Sequence, residues 1–325
     1  MATDCAVCYV TDINYLFPTL MSAISLRKYV SQRKAEVFIF LVDAAERVDE
    51  LNKVSRAAYD IEIVASDSSY LSHFDVAKFS KSQVSTTTLS KFSLGAWLPS
   101  AYKRIVYIDG DTLIRRDPSP LIEAVVPEGK LAAAEDMISF RYSKFTLRGR
   151  KKMSYLAGIG VHPPATGYLN AGVLAVSRNT WSAIATEAFE FFVSNVEACE
   201  YHDQSALNAV IGDRRLRLSL KWNFQTPFRY LGIEQSISPR IYHFHSHPKP
   251  WMGRCEPWPE IYEEYELASK PLEALGLPVA KLDSAAVAEH NQLNWRKAAL
   301  MKYPILSTIA QQHLGIKSYE RDAWL

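Results

Sequence analysis

Two carboxylates follow one strongly apolar segment, RIVYIDGD at 104–111, and they are the most distinctive chemical feature of the sequence. Asp109 and Asp111 are separated by Gly110 alone, and glycine allows the backbone to come close to a ligand. Two carboxylates this close repel each other unless a cation lies between them, and open α/β sheets bind ligands at the carboxyl ends of their strands. The tripeptide therefore predicts a metal site, with an ordinary strand-to-turn junction as the alternative interpretation.

Histidines form a second group in the segment HFHSHPKPW at 243–251. His243, His245 and His247 stand at alternate positions, and Lys249 follows them. One imidazole together with two carboxylates from another strand makes a site that suits Mn²⁺ or Mg²⁺ carrying phosphate oxygens. Lys249 would add a point charge on the same phosphates. We expect one of the three histidines to be a metal ligand and the other two to be loop or pocket residues.

Further polar residues stand where apolar strands or helices are predicted to begin or end. Each of them alone has a simple explanation as a cap or turn residue. In an α/β sheet, however, such positions face one crevice, where carboxylates and amides together suit a ligand rich in hydroxyl groups. These residues are Asp12, Asn14, Asp136, Asn170, Asp203 and Gln204.

The elements that must position these side chains alternate between apolar runs and amphipathic stretches. This alternation predicts parallel strands joined by crossover helices, which is an α/β fold. The predicted strands are 5–11, 35–43, 61–66, 104–111, 130–137, 168–177, 216–224 and 240–244. The predicted helices are one that follows Pro18 and those at 46–59, 86–98 and 180–200. Beyond about residue 256 the sequence becomes punctuated by proline and favours helices, so we place the end of the α/β core there.

The composition excludes several classes of protein. The 325 residues are 48% hydrophobic and 22% charged, which is typical of a soluble globular chain with a real core. A formal net charge of +2 does not draw the protein to nucleic acid. The first residues lack a basic region before their short apolar run, and no stretch reaches the roughly 18 apolar residues of a membrane span. We therefore expect a cytoplasmic protein.

Familiar catalytic motifs are missing as well. Pro163 stands where a dinucleotide fingerprint that begins at Gly158 needs its third glycine, and the sequence contains no phosphate-binding P-loop, H-E-x-x-H or G-x-S-x-G motif. Cys5 and Cys8 form a C-x-x-C, but residues three apart on a strand point to opposite faces. We expect reduced, structural thiols there and no zinc or redox site.

Five segments of the sequence resemble, in the same order, the motifs of the retaining glycosyltransferases of family 8. They are VTDINYLFPTLMSAISL, YIDGDTLI, YLNAGVLAVS, YHDQSALNAVI and HFHSHPKPW, and the resemblance extends from residue 6 to about 252. The family includes bacterial lipopolysaccharide galactosyl- and glucosyltransferases, glycogenin and galactinol synthases. The resemblance implies a GT-A fold with a Rossmann-like, mostly parallel central sheet flanked by helices, a UDP-sugar donor and Mn²⁺, with Mg²⁺ as the substitute. We predict a catalytic domain over 1–255 and a helical C-terminal extension over 256–325.

The resemblance also implies roles for individual residues. Asp109, Asp111 and His243 match the metal ligands of the family. The donor-binding set comprises Asp12, Asn14, Tyr15, Lys91, Asp109, Gly110, Asp111, Asp136, Asn170, Ala171, Asp203, Gln204 and Lys249, with Tyr15 against the uracil ring and Lys249 on the diphosphate. Two positions depart from the family pattern: Lys91 stands where many members have arginine, and Ser246 replaces a glycine beside the diphosphate.

Gln204 and Asp203 are the predicted catalytic residues. The family motif puts Gln204 near the face of the sugar opposite the leaving group, and an amide is a poor nucleophile. We therefore expect the acceptor to attack from the same face as the leaving UDP, whose phosphate oxygen accepts the proton of the acceptor. Asp203 would orient the hydroxyl groups of the sugar.

The acceptor is predicted less directly. Segment 141–152 holds six basic residues and no acid, which suits either a solvated loop or contact with an anionic acceptor or membrane phosphates. Segment 294–317 mixes aromatic, apolar and basic residues, as in a helix that lies on the inner face of a membrane, packs on the core or forms a dimer interface. The predicted activity is hexosyl transfer from UDP-glucose or UDP-galactose to a glycan or glycolipid such as a lipopolysaccharide core. A self-glycosylating primer of the glycogenin kind and a non-catalytic UDP-sugar binder are the alternatives.

Overall fold

A seven-stranded sheet forms the centre of the protein. The computed structural model describes residues 3–69, 86–140, 147–161, 167–273, 275–302 and 308–325. The strands of the central sheet are β1 (Cys5–Thr11), β2 (Glu36–Val42), β3 (Ile61–Ser66), β4 (Arg104–Ile108), β6 (Leu131–Glu135), β7 (Leu169–Ser177) and β8 (Arg215–Leu218). They are arranged in the order β3-β2-β1-β4-β7-β6-β8. All neighbouring pairs are parallel except those of β7, which runs antiparallel to both β4 and β6. The predicted mostly parallel α/β sheet is confirmed.

Helices cover both faces of this sheet. The larger helices are α1 (Leu16–Arg27), α2 (Ala45–Tyr59), α6 (Leu147–Gly158), α7 (Arg178–Ser194), α8 (His202–Ile211), α11 (Pro259–Glu273), α12 (Ser284–Lys302) and α13 (Thr308–Arg321). Shorter ones are α3 (Thr86–Ser90), α4 (Leu94–Trp97), α5 (Ser119–Glu123), α9 (Thr226–Tyr230) and α10 (Glu234–Ile237). Every residue of β1 is buried, as expected for a strand with helices on both sides.

The two faces of β1 belong to two separate hydrophobic cores. Cys5 packs in one core and Cys8 in the other, because successive side chains of a strand alternate between faces. Burial raises the pKa of the Cys5 thiol to about 11 and that of Cys8 well above its usual range. The C-x-x-C is therefore a pair of buried free thiols on opposite faces of a strand, as the sequence predicted.

A second, three-stranded sheet interrupts two of the predicted strands. It consists of β5 (Thr112–Ile114), β9 (Phe224–Gln225) and β10 (Ile241–His243), with β10 antiparallel to β5 and parallel to β9. The predicted strand 104–111 ends at Ile108, and the chain then turns into the second sheet. The prediction of one strand over 216–224 was wrong, because β8 ends at Leu218 and a short 3₁₀ turn precedes β9. Apolar sequence alone does not show that the chain changes sheets at these points.

The helices at the end of the chain contribute to the hydrophobic core that contains Cys5. Tyr265 of α11 and Tyr319 of α13 are both buried in it, while Leu293 and Trp295 of α12 are exposed. Among the described residues, no helix is both long enough and apolar enough to cross a membrane. The division of the chain at residue 255 stays a prediction. Of the basic segment 141–152, residues 141–146 lie outside the described residues, and the rest belongs to α6.

Candidate active site

Asp109, Asp111 and His243 converge at the junction of the two sheets, and we call these three residues the metal cluster. The two aspartates flank the turn between β4 and β5, and His243 ends β10, where it is paired with Thr112 of β5. His243 Nε2 lies 3.3 Å from Asp111 Oδ1 and 3.7 Å from Asp109 Oδ2. One ligand atom from each residue lies within 4.8 Å of the other two. Ligands roughly 2.1 Å from a shared octahedral ion stand roughly 3 Å apart, so this spacing fits a single cation.

Gly172 of β7 leaves the space that the metal cluster occupies. A Cβ atom at this position would lie 2.3 Å from His243 Cε1 and 2.9 Å from Asp109 Oδ2. Position 110 requires glycine for a different reason, because a Cβ atom added there would lie 2.1 Å from Thr19 Oγ1 of α1. Close packing against α1 therefore explains the glycine in Asp-Gly-Asp, and its contact with a ligand stays a prediction.

Two buried lysines neutralise the carboxylates around the cluster. Lys249 Nζ lies 2.7 Å from Asp111 Oδ2, and Lys91 Nζ lies 2.8 Å from Asp203 Oδ2 and 3.5 Å from Asp109 Oδ1. Burial alone would raise the pKa of Asp111, but Lys249 and His243 outweigh it and hold that pKa well below its usual range. Lys91 thus lies between a predicted metal ligand and the predicted catalytic Asp203.

Burial by itself shifts the pKa values of Lys91 and Asp203 in opposite directions. Burial would lower the pKa of Lys91, but Asp109 and Asp203 outweigh it and raise that pKa well above its usual value, so the ammonium stays charged. Burial raises the pKa of Asp203, and Lys91 opposes this shift only in part.

Asp136, Asn170 and Gln204 form a hydrogen-bonded group beside the cluster, which we call the amide group. Asn170 Nδ2 and Gln204 Nε2 both donate to Asp136 Oδ2, at 2.9 and 3.2 Å. The backbone N–H of Ala171 donates to Gln204 Oε1 at 3.1 Å. Gln204 and Asp203 belong to the first turn of α8, whereas Asn170 and Ala171 belong to β7. The structure thus brings together residues that the sequence placed on separate elements.

The predicted uridine residues lie where β1 meets the 3₁₀ turn Ile13–Tyr15. Asp12 Oδ1 accepts a hydrogen bond from the backbone N–H of Tyr15 at 3.0 Å, so this carboxylate caps the turn. Asn14 is exposed, and the ring of Tyr15 packs edge-on against Trp251 with the ring centroids 5.5 Å apart. Trp251 therefore links the first predicted motif with the last one.

Sequence reasoning missed four buried residues of this region. Tyr107 donates to Asp109 Oδ1 at 2.6 Å, and Trp251 packs on Tyr15. Gln225 bonds the backbone on both sides of Asp136, and Asn223 bonds the ring of His243. Asn223 stands between Trp222 and Phe224 in the predicted strand 216–224, and Gln225 follows directly after that strand. A polar residue between apolar ones in a predicted strand is the signal that identified Asn170, and the same signal would have found Asn223.

The comparisons with known proteins decide the family. Residues 6–255 match the sequence model of Glycosyl transferase family 8. The chain belongs to this family. It is therefore a glycosyltransferase, and the resemblance drawn from five short motifs is confirmed.

The chain is also similar to known relatives and, in its fold, to a solved structure. The chain is 24% identical to the lipopolysaccharide glucosyltransferase WaaO of Escherichia coli, over 91% of this chain and 80% of that protein. It is also 24% identical to general stress protein A of Bacillus subtilis, over 74% of this chain and 86% of that protein. The crystal structure of the galactosyltransferase LgtC with donor and acceptor sugar analogues superposes with a TM-score of 0.63 at 18% identity, over 90% of this chain and 99% of that chain. The predicted GT-A type of fold is confirmed.

Proposed function

We propose that this family 8 protein is a retaining α-hexosyltransferase that moves glucose or galactose from a UDP-sugar to a glycan or glycolipid. The observation that carries the proposal is the metal cluster, with the amide group beside it. The metal cluster suits a diphosphate with its cation, and the amide group suits sugar hydroxyl groups. A relative named as a lipopolysaccharide glucosyltransferase and a structural neighbour named as a galactosyltransferase support a hexose donor and a lipopolysaccharide-like acceptor.

The residues of the metal cluster fit Mn²⁺, with Mg²⁺ as the substitute. One imidazole nitrogen with two carboxylates is a borderline-to-hard donor set, and Gly172 leaves room for it. When bound, the ion supplies electrostatic stabilisation to the charge of the leaving diphosphate. Lys249 is buried and 2.7 Å from Asp111, so its ammonium adds positive charge at the same place.

The chain's own residues favour attack from the same face as the leaving group. The bond between the anomeric carbon and the UDP oxygen breaks, the acceptor oxygen forms the new bond, and the acceptor proton passes to a phosphate oxygen of UDP. A double displacement would instead need a free carboxylate as nucleophile. Asp203 is paired with Lys91, and the Gln204 amide is held between Ala171 and Asp136, where its dipole can stabilise positive charge on the sugar.

The acceptor is proposed to bind beside α6, whose first residues, 147–152, are the end of the basic segment. Tyr155 of α6 is within 2.6 Å of Ser205 Oγ, next to Gln204 in the chain. Lys152 of the same helix pairs with Glu200, just before α8. This packing supports a location of the described basic residues of α6 near the transferred sugar. Contact of the exposed Leu293 and Trp295 with the inner face of a membrane, a cytoplasmic location and a homodimer stay predictions.

A release assay tests the proposed function. Purified protein is incubated with Mn²⁺ and, in turn, UDP-glucose, UDP-galactose, their N-acetyl forms and UDP-glucuronate, and free UDP is measured. We expect release from UDP-glucose or UDP-galactose and none without a divalent cation. Water is the only acceptor in this assay, and release from none of the five donors would contradict the proposed hexosyl transfer and favour a UDP-sugar binder. Intact mass after incubation with UDP-glucose separates the primer alternative, since a self-glycosylating protein gains whole hexose units.

A further inference from the structure

We propose that Asn223 is a positioning residue that fixes the tautomer of His243. The buried side-chain amides of Asn223 and Asn170 are hydrogen-bonded to each other, and they connect this tautomer to the amide group, where the donor sugar is proposed to bind. The inference deepens the proposed function, because it rests on His243 as a metal ligand. None of the five motifs that identify the family contains Asn223.

The orientation of Asn170 is set first. Its Nδ2 donates to the Asp136 carboxylate at 2.9 Å, and its Oδ1 accepts from the backbone N–H of Gly172 at 3.0 Å. A carboxylate accepts hydrogen bonds and a backbone N–H donates them. Both neighbours therefore require the same orientation of the Asn170 amide.

The orientation of Asn223 follows from that of Asn170. Asn223 Nδ2 donates to Asn170 Oδ1 at 2.8 Å, so the oxygen of the Asn223 amide faces the other way. There it lies 2.8 Å from His243 Nδ1. Because an amide oxygen carries no proton, the proton of this hydrogen bond must belong to Nδ1.

The consequence reaches the metal cluster. With its proton on Nδ1, the imidazole has Nε2, the atom 3.3 Å from Asp111 Oδ1, as the nitrogen that can give its lone pair to a cation. The opposite tautomer would place two lone pairs against each other, because Asn223 is fully buried and His243 nearly so, at 0% and 3% exposure. Asn223 thus prepares His243 for a cation before any cation binds. Outer partners of this kind typically contribute roughly 10–100-fold to metal affinity.

Two substitutions at one position separate the hydrogen bond from the packing. Asn223→Leu keeps a similar volume and removes the acceptor, whereas Asn223→Asp keeps the acceptor for the Nδ1 proton. Mn²⁺ affinity is measured without nucleotide by electron paramagnetic resonance, and the histidine tautomer is read from ¹⁵N chemical shifts of the metal-free protein. Asn52→Leu is the matched control, because Asn52 Oδ1 accepts one hydrogen bond, from the backbone N–H of Ile63, far from the cluster.

We expect Asn223→Leu to weaken Mn²⁺ binding roughly 10–100-fold and to mix the tautomers of His243, while Asn223→Asp keeps the proton on Nδ1 and Asn52→Leu stays close to wild type. Unchanged affinity in Asn223→Leu would overturn the inference. A wild-type protein whose His243 carries a proton on Nε2 and none on Nδ1 would also overturn it, and that measurement needs no variant to fold. If wild-type protein binds no Mn²⁺, the proposed metal site fails, while the tautomer measurement still decides the role of Asn223.

Discussion

The metal cluster and the amide group both consist mostly of buried residues, with Asp109 and Gln204 half-buried, yet different forces hold them in place. Around the cluster, charges are matched with charges: Lys249 with Asp111, and Lys91 with Asp203 and Asp109. In the amide group, one carboxylate accepts hydrogen bonds from neutral amides whose directions are fixed. Loss of one partner leaves an uncompensated buried charge in the first region and an unpaired polar group in the second. Substitutions should therefore cost more around the cluster than in the amide group.

The largest effect is expected at Asp111. Asp111→Asn keeps the shape of the side chain but removes half of the carboxylate pair, so we expect transfer and Mn²⁺ binding to be lost. UDP release and metal titration measure this, and circular dichroism verifies the fold. Asp213→Asn, at an exposed carboxylate outside the site, is the matched control. Transfer at the wild-type rate by Asp111→Asn would exclude Asp111 as a ligand.

A buried ion pair and a surface ion pair should differ in how much they stabilise the protein. Lys91→Met leaves Asp203 without its cation, and both side chains are less than a tenth exposed. We expect the free energy of unfolding to fall by about 3–5 kcal/mol, measured by urea denaturation. Lys152→Met breaks the pair with Glu200, which is a quarter to a half exposed, and should cost less than about 1 kcal/mol. Equal losses in the two variants would contradict the distinction between buried and exposed pairs.

Gln204→Ala tests the amide group of Asp136, Asn170 and Gln204. The side chain of Gln204 is anchored between Ala171 and Asp136. We expect removal of this side chain to lower kcat roughly 100-fold by loss of a preorganised dipole. Donor binding, measured by calorimetry with UDP-sugar, should stay near wild type, because UDP and metal contacts remain. A variant that loses donor affinity and retains kcat would show that Gln204 binds the ground state only.

The smallest effect is expected for Tyr107→Phe, which removes one hydrogen bond from a neutral hydroxyl to a carboxylate of the charged region. The Tyr107 hydroxyl donates to Asp109 Oδ1 at 2.6 Å, and the ring itself stays in place. A hydrogen bond to a charged group contributes about 1.5 kcal/mol, so Mn²⁺ affinity should fall roughly tenfold. Tyr102→Phe is the control, because Tyr102 packs on Phe38 away from the cluster. An unchanged affinity would mean that Asp109 needs no help in orientation.

Much of the fold could be predicted because it depends on local pattern. Strand β3 and its preceding helix lie within one residue of their predicted bounds, since period-two and period-3.6 apolar patterns report which face is buried. The antiparallel direction of β7 and the break between β4 and β5 were not predicted. Both depend on where a strand finds its partner, and apolar runs alone do not encode that.

The α/β class, the family and the residue types of the site could be read from the amino-acid sequence, because these depend on composition, periodicity and short ordered motifs. Tertiary structure decided which of those residues are partners. Lys249 bonds Asp111 from 138 positions away. Asn223 follows a 3₁₀ turn within a segment that the sequence predicted as one continuous strand, and it bonds His243 of the neighbouring strand β10. Gly110 packs against α1 and Gly172 against the metal cluster. Such contacts join segments distant in the chain, so only the packed core brings their atoms within bonding distance.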